Sequence, residues 1–245
     1  MKLKIINSCS KGNAYILETE KEALLLECGV GFPLIKKALN FDISKVVGCL
    51  VTHEHKDHSK SAKEVMKAGI DVYASGGTFS KTDFLIHRAR VVKSLEKFKV
   101  GHFTVLPFDV KHDAEEPLGF LINHPDSGNI LFLTDTFYSP YKFKNLNNII
   151  IEANYSEEIL EQRSESGSLH GLIRNRVLTS HLSIETCEKL LLANDLSKVN
   201  NIVLIHLSDG NSDEKEFIRQ IQSATNKNVC VARPNMEINF NKTPF

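Results

Sequence analysis

The sequence predicts an α/β protein of four layers, two packed β-sheets with helices on the outer faces. Three observations predict it. Short apolar runs with strand character dominate the first quarter of the chain and residues 91–133, with few helical segments among them. The second half alternates strand runs with segments of helical spacing, a mixture that suits two sheets with helices outside better than one parallel sheet. No Pro/Ser/Gly linker, low-complexity tract or repeat divides the 245 residues, so residues 1–245 are expected to form a single domain.

Residues 1–7 and 13–18 read as strands joined by Ser8-Cys9-Ser10-Lys11-Gly12. Small hydroxyl residues and a glycine make a turn, and they can also present backbone N–H groups to an anion. Residues 23–28 read as a third strand ending at Gly29. Residues 33–40 make a short helix, with Leu34, Ala38, Leu39 and Phe41 expected inward. Val46-Val47-Gly48-Cys49-Leu50-Val51 is a buried strand. Residues 60–68 read as a helix with Val65, Met66 and Ala68 on one side, and residues 71–74 as a short strand. Residues 97–100 and 102–108 form a hairpin about Gly101. Residues 118–123 and 130–133 flank Pro125-Asp126-Ser127-Gly128, where proline presets φ and glycine supplies a positive one. Residues 148–153 and 201–205 are further strands. Helices are expected over 157–162, part of 168–176, 184–194 and 213–224. Ser183 and Ser212 are placed to cap the last two, and Asp213 and Glu214 suit the positive end of the last helix.

Composition narrows the class. Hydrophobic residues make up 42% and charged residues 24%, ordinary for a globular protein with a sizeable core. Lys+Arg and Asp+Glu both number 30, so the formal net charge is zero. That argues against strong non-specific nucleic-acid binding and leaves room for a local basic patch. The N-terminal residues alternate like a strand and lack the apolar core of a signal peptide, and no apolar run is long enough to span a bilayer. A cytoplasmic location without a membrane partner is expected. Cys9, Cys28, Cys49, Cys187 and Cys230 are odd in number and scattered, without CxxC spacing, and read as reduced residues.

The chemistry concentrates directly after strand 46–51, in Thr52-His53-Glu54-His55-Lys56-Asp57-His58. Imidazoles and carboxylates gain little from crowding together unless a cation sits among them; both are good ligands for zinc-like metals. Ligands at the C-terminal edge of a strand are held by the sheet, where α/β proteins commonly place their chemistry. One such cluster does not close a two-metal site, so partners are sought at other strand ends. His112 follows 104–110, Asp135 follows 130–134 and His206 follows 202–205. His181 follows Arg176-Val177-Leu178-Thr179-Ser180, read as one more strand end, and precedes a helix cap. A lone histidine at a strand end is usually structural; four such residues beside a cluster that needs partners weigh differently. His87, His102, His124 and His170 lack this placement and read as surface or packing residues.

The 52–58 stretch resembles the HxHxDH signature of the metallo-β-lactamase fold superfamily, and His112, Asp135 and His206 match that family's later ligands in order. The resemblance implies that His53, His55 and His112 hold one metal, that Asp57, His58 and His206 hold a second, and that Asp135 bridges them. Members that cleave β-lactams usually carry Cys where Asp135 stands; an aspartate there fits glyoxalase-like thioesterases and phosphodiesterases. Ser8-Cys9-Ser10-Lys11-Gly12-Asn13 is similar to the SSSxGN opening of YycJ/WalJ-like proteins. Residues 176–183 resemble their R…GHLS segment, His206-Leu207-Ser208 with Asn211 their HLSxxN, and Glu152-Ala153-Asn154-Tyr155 their E-A-N segment. That group is related to the nucleases tRNase Z and RNase J. Cys9 departs from the pattern, as does Ser180, which stands where Gly usually precedes the histidine. Glu27 stands where an aspartate commonly braces the ligand loop, so the longer side chain must reach differently.

The resemblance implies a dinuclear metal-dependent phosphodiesterase, a nuclease on DNA or RNA. Two divalent cations would share an attacking hydroxide, lower its pKa and clamp the entering and leaving oxygens. Zinc is the expected metal, with manganese or iron also compatible with an all-nitrogen-and-oxygen ligand set. Asp57 and Asp135 would orient the hydroxide. His181, left over from the seven ligands, is assigned to the scissile phosphate, to stabilise charge or protonate the leaving oxygen. Ser10, Lys11, Asn13, Asn154 and Arg176 are the candidate substrate contacts, and Lys56 a further charge partner. Hydrolysis of cyclic (di)nucleotides is the alternative, and glyoxalase-like thioester hydrolysis a third reading; a non-catalytic binding module fits least. The partners expected are a nucleic acid or nucleotide substrate and a second copy of the chain in a homodimer.

Overall fold

The structure is a computed structural model that describes residues 1–243 apart from 83 and 85. Two seven-stranded mixed sheets pack face to face. In the first, β1 (Lys2–Cys9), β2 (Gly12–Glu18) and β3 (Ala23–Leu26) are antiparallel neighbours. From β3 the sheet continues in parallel through β4 (Val46–Leu50), β5 (Val72–Ala74) and β6 (Ala89–Val91). In the second, β7 (Phe98–Val100), β8 (Phe103–Asp109), β9 (Leu118–His124) and β10 (Gly128–Leu133) form an antiparallel meander. It continues in parallel through β11 (Leu146–Glu152), β12 (Asn201–Ile205) and β13 (Asn228–Val231). β14 (Glu237–Asn239) returns to the first sheet and pairs with β1.

The layers follow from side-chain alternation. Leu24 and Leu26 of β3 enter the core between the sheets, with Phe103, Phe120, Phe132 and Val203 from the other side. Ala23 and Leu25 point the opposite way, into the layer shared with Ile35 of α1 (Phe32–Ala38) and Val65 of α3 (Ala62–Lys67). In β11, Ile150 faces the other sheet, while Ile149 and Ile151 face α7 (Ile184–Leu192) and α8 (Glu214–Thr225). Strands buried on both faces must be apolar throughout, which is why these read as continuous runs. Each Leu or Ile so buried contributes about 1.5–3 kcal/mol. The expected four-layer αββα sandwich is the one observed.

Local expectations differ in several places. In α1 the inward residues are Ile35 and Leu39, whereas Leu34 is 52% and Phe41 71% exposed. A one-residue error in helix phase rotates the apolar face by about 100°. Beyond the helix, Asn40 and Phe41 take left-handed φ of 51° and 64°, and Phe41 ends in solvent. The third strand stops at Leu26, because Glu27 has φ 64°. The helix expected over 60–68 is α3, and a further short helix that was not expected, α2 (Lys56–Ser59), precedes it, with Ser61 between them donating its hydroxyl to the Val30 carbonyl. The last long helix is capped by Asp213, which accepts from Glu216 N at 3.0 Å, while Ser212 Oγ donates to the Ser208 carbonyl. Ser183 caps α7 as expected. α5 spans Glu157–Glu165 and α6 spans Gly171–Ser180. The run before His181, expected to lead into it as a strand, is therefore the end of a helix. Residues 176–180 carry Val, Leu and Thr but pair with no strand, and their backbone closes helical bonds. Among the described residues no helix is long and apolar enough to cross a membrane.

β1 runs parallel to β3 and β4, and β8 runs parallel to β10, β11 and β12. The C-terminal ends of these strands meet at one edge of the sandwich, and the polar cluster lies there.

Candidate metal centre

The loop after β4 is tied down from behind. Glu27, fully buried, turns back through its positive φ and accepts from Thr52 N with both carboxylate oxygens, at 3.2 and 3.4 Å. Its Oε1 also lies 3.6 Å from His58 Nδ1. The longer glutamate thus reaches both the backbone and a ligand ring. Thr52 Oγ1 sits 2.9 Å from His53 Nδ1 and orients that ring. Cys28 N donates to the His58 carbonyl at 2.8 Å. At Gly29 a Cβ would stand 1.6 Å from the Asp57 carbonyl oxygen, so only glycine lets the two segments approach this closely. Asn13 Nδ2 lies 3.3 Å from that oxygen and 3.2 Å from His58 Nε2.

The seven predicted ligands converge in two groups. His53, His55 and His112 form one; Asp57, His58, Asp135 and His206 form the other, with donor atoms in each group mutually within 4.8 Å. Asp135 lies between them. Its Oδ2 is 3.9 Å from His53 Nε2 and 3.7 Å from His112 Nε2 on one side, and 3.4 Å from His58 Nε2 on the other. Asp57 Oδ2 is 3.4 Å from His58 Nε2 and 3.6 Å from His206 Nε2. His112 is held by its Nδ1, which donates to the Ser180 carbonyl at 2.8 Å. Residue 180 contributes a backbone atom here, so a serine serves where glycine was the expected type. Asp135 and His206 adopt φ of 46° and 55°, left-handed values that non-glycine residues avoid and that cluster at functional sites.

Glu152 was not among the expected site residues, yet it organises half of this cluster. It is fully buried at the end of β11. Oε1 accepts from His181 Nδ1 at 2.7 Å and from His206 Nδ1 at 3.0 Å. Oε2 accepts from Thr136 N and Leu182 N, both at 3.1 Å. His181 is brought to the cluster not by a strand but as the C-cap of α6, with its Nδ1 4.0 Å from Asp135 Oδ2. Ser8 was also missed: its Oγ accepts from His206 N at 3.0 Å and lies 2.7 Å from Tyr15 Oη. For Glu152 the signal in the sequence is a carboxylate closing the apolar run Ile149–Ile151, the kind of signal that marks Asp135; Ser8 carries no such signal.

Charge in the site is balanced against burial. Burial works to raise the Asp135 and Asp57 carboxyls, but His206 and His58 outweigh it and hold both well below the usual range. Glu152 is likewise opposed by burial and lowered, chiefly by His181. Burial disfavours charge on His58, His206 and His181, yet the carboxylates raise all three. For His53 and His112 burial prevails, and both rings are lowered towards the neutral form that ligates metals. His53 Nε2 and His206 Nε2 are buried without a hydrogen-bond partner. An unpaired buried polar atom costs about 1–3 kcal/mol, which a cation would relieve. The donor set, the orphaned nitrogens and the concentrated carboxylates fit divalent metal.

The expected substrate contacts divide. Ser10 and Lys11 are exposed on the β1–β2 turn. Arg176 is exposed at the rim, its Nε 3.0 Å from Asp113 Oδ2 beside His112. Asn13 and Asn154 instead lie behind the ligands, 1% and 7% exposed. Asn154 Nδ2 donates to the His206 carbonyl at 2.8 Å, so both amides brace ligand segments rather than face an open surface. Lys56 is exposed.

The family description of the metallo-beta-lactamase superfamily matches residues 8–144. Over 228 residues the chain is 31% identical to "Exodeoxyribonuclease WalJ" of Streptococcus pneumoniae serotype 2 strain D39, covering 86% of this chain and 83% of that protein. It is 29% identical over 226 residues to "Exodeoxyribonuclease YycJ" of Bacillus anthracis, with 86% and 84% covered. Among solved structures, the metallo-beta-lactamase fold protein YhfI of Bacillus subtilis superposes with a TM-score of 0.72 at 13% identity, over 97% of this chain and 99% of that one.

Proposed function

The chain belongs to the metallo-beta-lactamase superfamily, and from that premise we propose that it is a metal-dependent nuclease that hydrolyses phosphodiester bonds at a dinuclear centre, with DNA as the first substrate to try. The observation that carries this reading is the placement of Asp135 Oδ2 within 4 Å of donor nitrogens from both ligand groups. DNA is taken from the names of the two exodeoxyribonucleases that the chain resembles over most of its length.

His53, His55 and His112 would hold one cation; Asp57, His58 and His206 the other; Asp135 both. When bound, the cations supply Lewis acidity that lowers the pKa of a water nucleophile and neutralises charge on the phosphate. The protein's own groups do the rest. Asp57 and Asp135 accept hydrogen bonds from the nucleophile and aim it. Glu152 fixes His181 through Nδ1 and leaves Nε2 to meet a phosphate oxygen or protonate the leaving group. Substrate contact is assigned to Ser10, Lys11 and Arg176, a reading supported by their exposure on the β1–β2 turn and at the rim. Zinc is the metal we assign, since a donor set of imidazole nitrogens and carboxylate oxygens suits it.

The experiment is a substrate screen with metal-loaded protein: end-labelled single- and double-stranded DNA, RNA, a cyclic dinucleotide and a thioester. DNA cleavage by successive loss from one end is the expected outcome. Cleavage of the thioester alone ends the nuclease reading, and turnover of the cyclic dinucleotide alone moves it to the small-molecule alternative. We also propose that residues 1–245 behave as a single domain, to be read as one cooperative unfolding transition. A homodimer is proposed for sedimentation velocity to decide, a monomer mass ending it. A cytoplasmic location is proposed on the five free cysteines.

A further inference from the structure

A groove of about 730 Å³ lies between α1 and the segment leading into β14. It is lined by β1 and α1 residues, by Lys11 and Lys60, and by residues 234–237. Its charge is one-sided. Of its lysines, Lys4 is compensated, with Nζ 2.6 Å from Glu18 and 3.9 Å from Glu237. Glu237, the groove's acidic residue, also accepts from Lys2 at 2.9 Å. Lys11, Lys37 and Lys60 are exposed and have no ion-pair partner among the described residues. Three free ammonium groups therefore share one groove on a chain whose formal net charge is zero. The walls between them are not only charged: Leu34, 52% exposed, stands on one side, with Asn235 and Met236 on the other.

The groove abuts the metal loop. Lys60 comes two residues after His58. Val30 and Gly31 of its wall directly follow Gly29, the residue pressed against the Asp57 carbonyl. Lys11 sits on the turn whose next residues are Gly12, against Gly29, and Asn13, against His58. Groove and metal centre are thus built on the same segments, the β1–β2 turn, residues 29–31 and residues 57–60.

We propose that this groove carries the phosphodiester backbone of a single nucleic-acid strand whose terminus lies at the metal centre; the identity of that terminus rests on the nuclease reading. Free lysines beside exposed apolar and amide groups match what one strand presents: phosphates in series, with bases whose faces need cover. Each ammonium that neutralises a phosphate releases a counterion, so the contribution is visible in salt dependence.

The test uses the full chain loaded with metal and the substitutions Lys37→Glu and Lys60→Glu, alone and together. Both residues are exposed and lie outside the catalytic set. Binding of a fluorescent phosphorothioate single-stranded DNA, which resists cleavage, is followed by anisotropy across a salt series. Turnover of bis(p-nitrophenyl) phosphate, too small to reach the groove, is measured in parallel. The double variant is expected to lose about 1.4 from the slope of log affinity against log salt, about 0.7 per lost contact on a single strand, and to bind about tenfold more weakly at low salt. Small-substrate turnover is expected to stay at the wild-type level. An unchanged slope and affinity overturn the proposal. If the wild type binds the strand through these lysines but hydrolyses neither unmodified single-stranded DNA nor bis(p-nitrophenyl) phosphate, the groove stands and the nuclease reading falls. If it hydrolyses both and the variants bind as the wild type does, the groove alone falls.

Discussion

Replacing Glu152 by glutamine keeps the size and shape of the side chain and removes one charge and one acceptor. Glu152 Oε1 accepts from the two imidazoles, at 2.7 and 3.0 Å, and Oε2 from two backbone N–H groups, each at 3.1 Å. A carboxamide has one oxygen, so whichever way it turns its NH₂ faces two donors. Two buried N–H groups lose their acceptor, at about 1–3 kcal/mol each, and relief from burying a carboxylate offsets part of that. A net destabilisation of about 2–4 kcal/mol is expected. His206 can adapt to a facing amide only by moving its proton from Nδ1 to Nε2, the orphaned atom assigned to the cation. Metal affinity should therefore fall by about 10–100-fold, the usual loss when a hydrogen-bond partner of a ligand is removed. Urea unfolding of metal-free protein reads the first effect, and competition with a chromogenic chelator the second. Wild-type affinity together with a wild-type unfolding midpoint would refute the assignment of Glu152 as the group that orients both histidines.

Gly29→Ala should be poorly tolerated, because its Cβ would overlap the Asp57 carbonyl; overpacking of this kind costs about 1–3 kcal/mol or more, and elemental analysis should find the Asp57–His58 side depleted of metal. A variant with full metal content and unchanged Tm would contradict the close approach. Asp135→Asn should lower bound metal from about two equivalents to about one, as the shared ligand loses its charge; two equivalents with full activity would remove it from the bridging role. His181→Ala should retain metal while turnover drops by about 10²–10⁴-fold, the range for a lost general acid, and unchanged turnover would return His181 to a packing role. Phe41→Gly should stabilise the chain by about 1 kcal/mol, since an exposed phenylalanine there holds φ 64°; a lower urea midpoint would count against that strain.

Much of the site was legible in the residues because metal ligands are chemically conspicuous. Histidine and aspartate closing apolar runs stand out against their surroundings, and all seven expected ligands meet in the structure. Glu152 also closes an apolar run, Ile149–Ile151, but the two imidazoles its carboxylate orients come from segments far away in the sequence, so the run alone does not show its role. Asn13 and Asn154 show the converse. Their type suits substrate contact, and only burial reveals that they brace His58 and His206 from behind.

By itself the sequence determined the four-layer sandwich and singled out the seven histidines and aspartates that meet at one edge of it. Strand runs apolar at every position require cover on both faces, and imidazoles and carboxylates crowded together gain little unless a cation sits among them. The tertiary structure alone decided how these groups are aimed. The positive φ at Glu27, Asp135 and His206, the glycine-only approach at Gly29, and the shared acceptor of His181 and His206 all depend on segments far apart in the chain. The same holds for the helix that ends on His181 and for the gathering of Lys11, Lys37 and Lys60 along one groove. Local composition carries no record of such encounters, because their energies arise only once the two sheets have closed on each other.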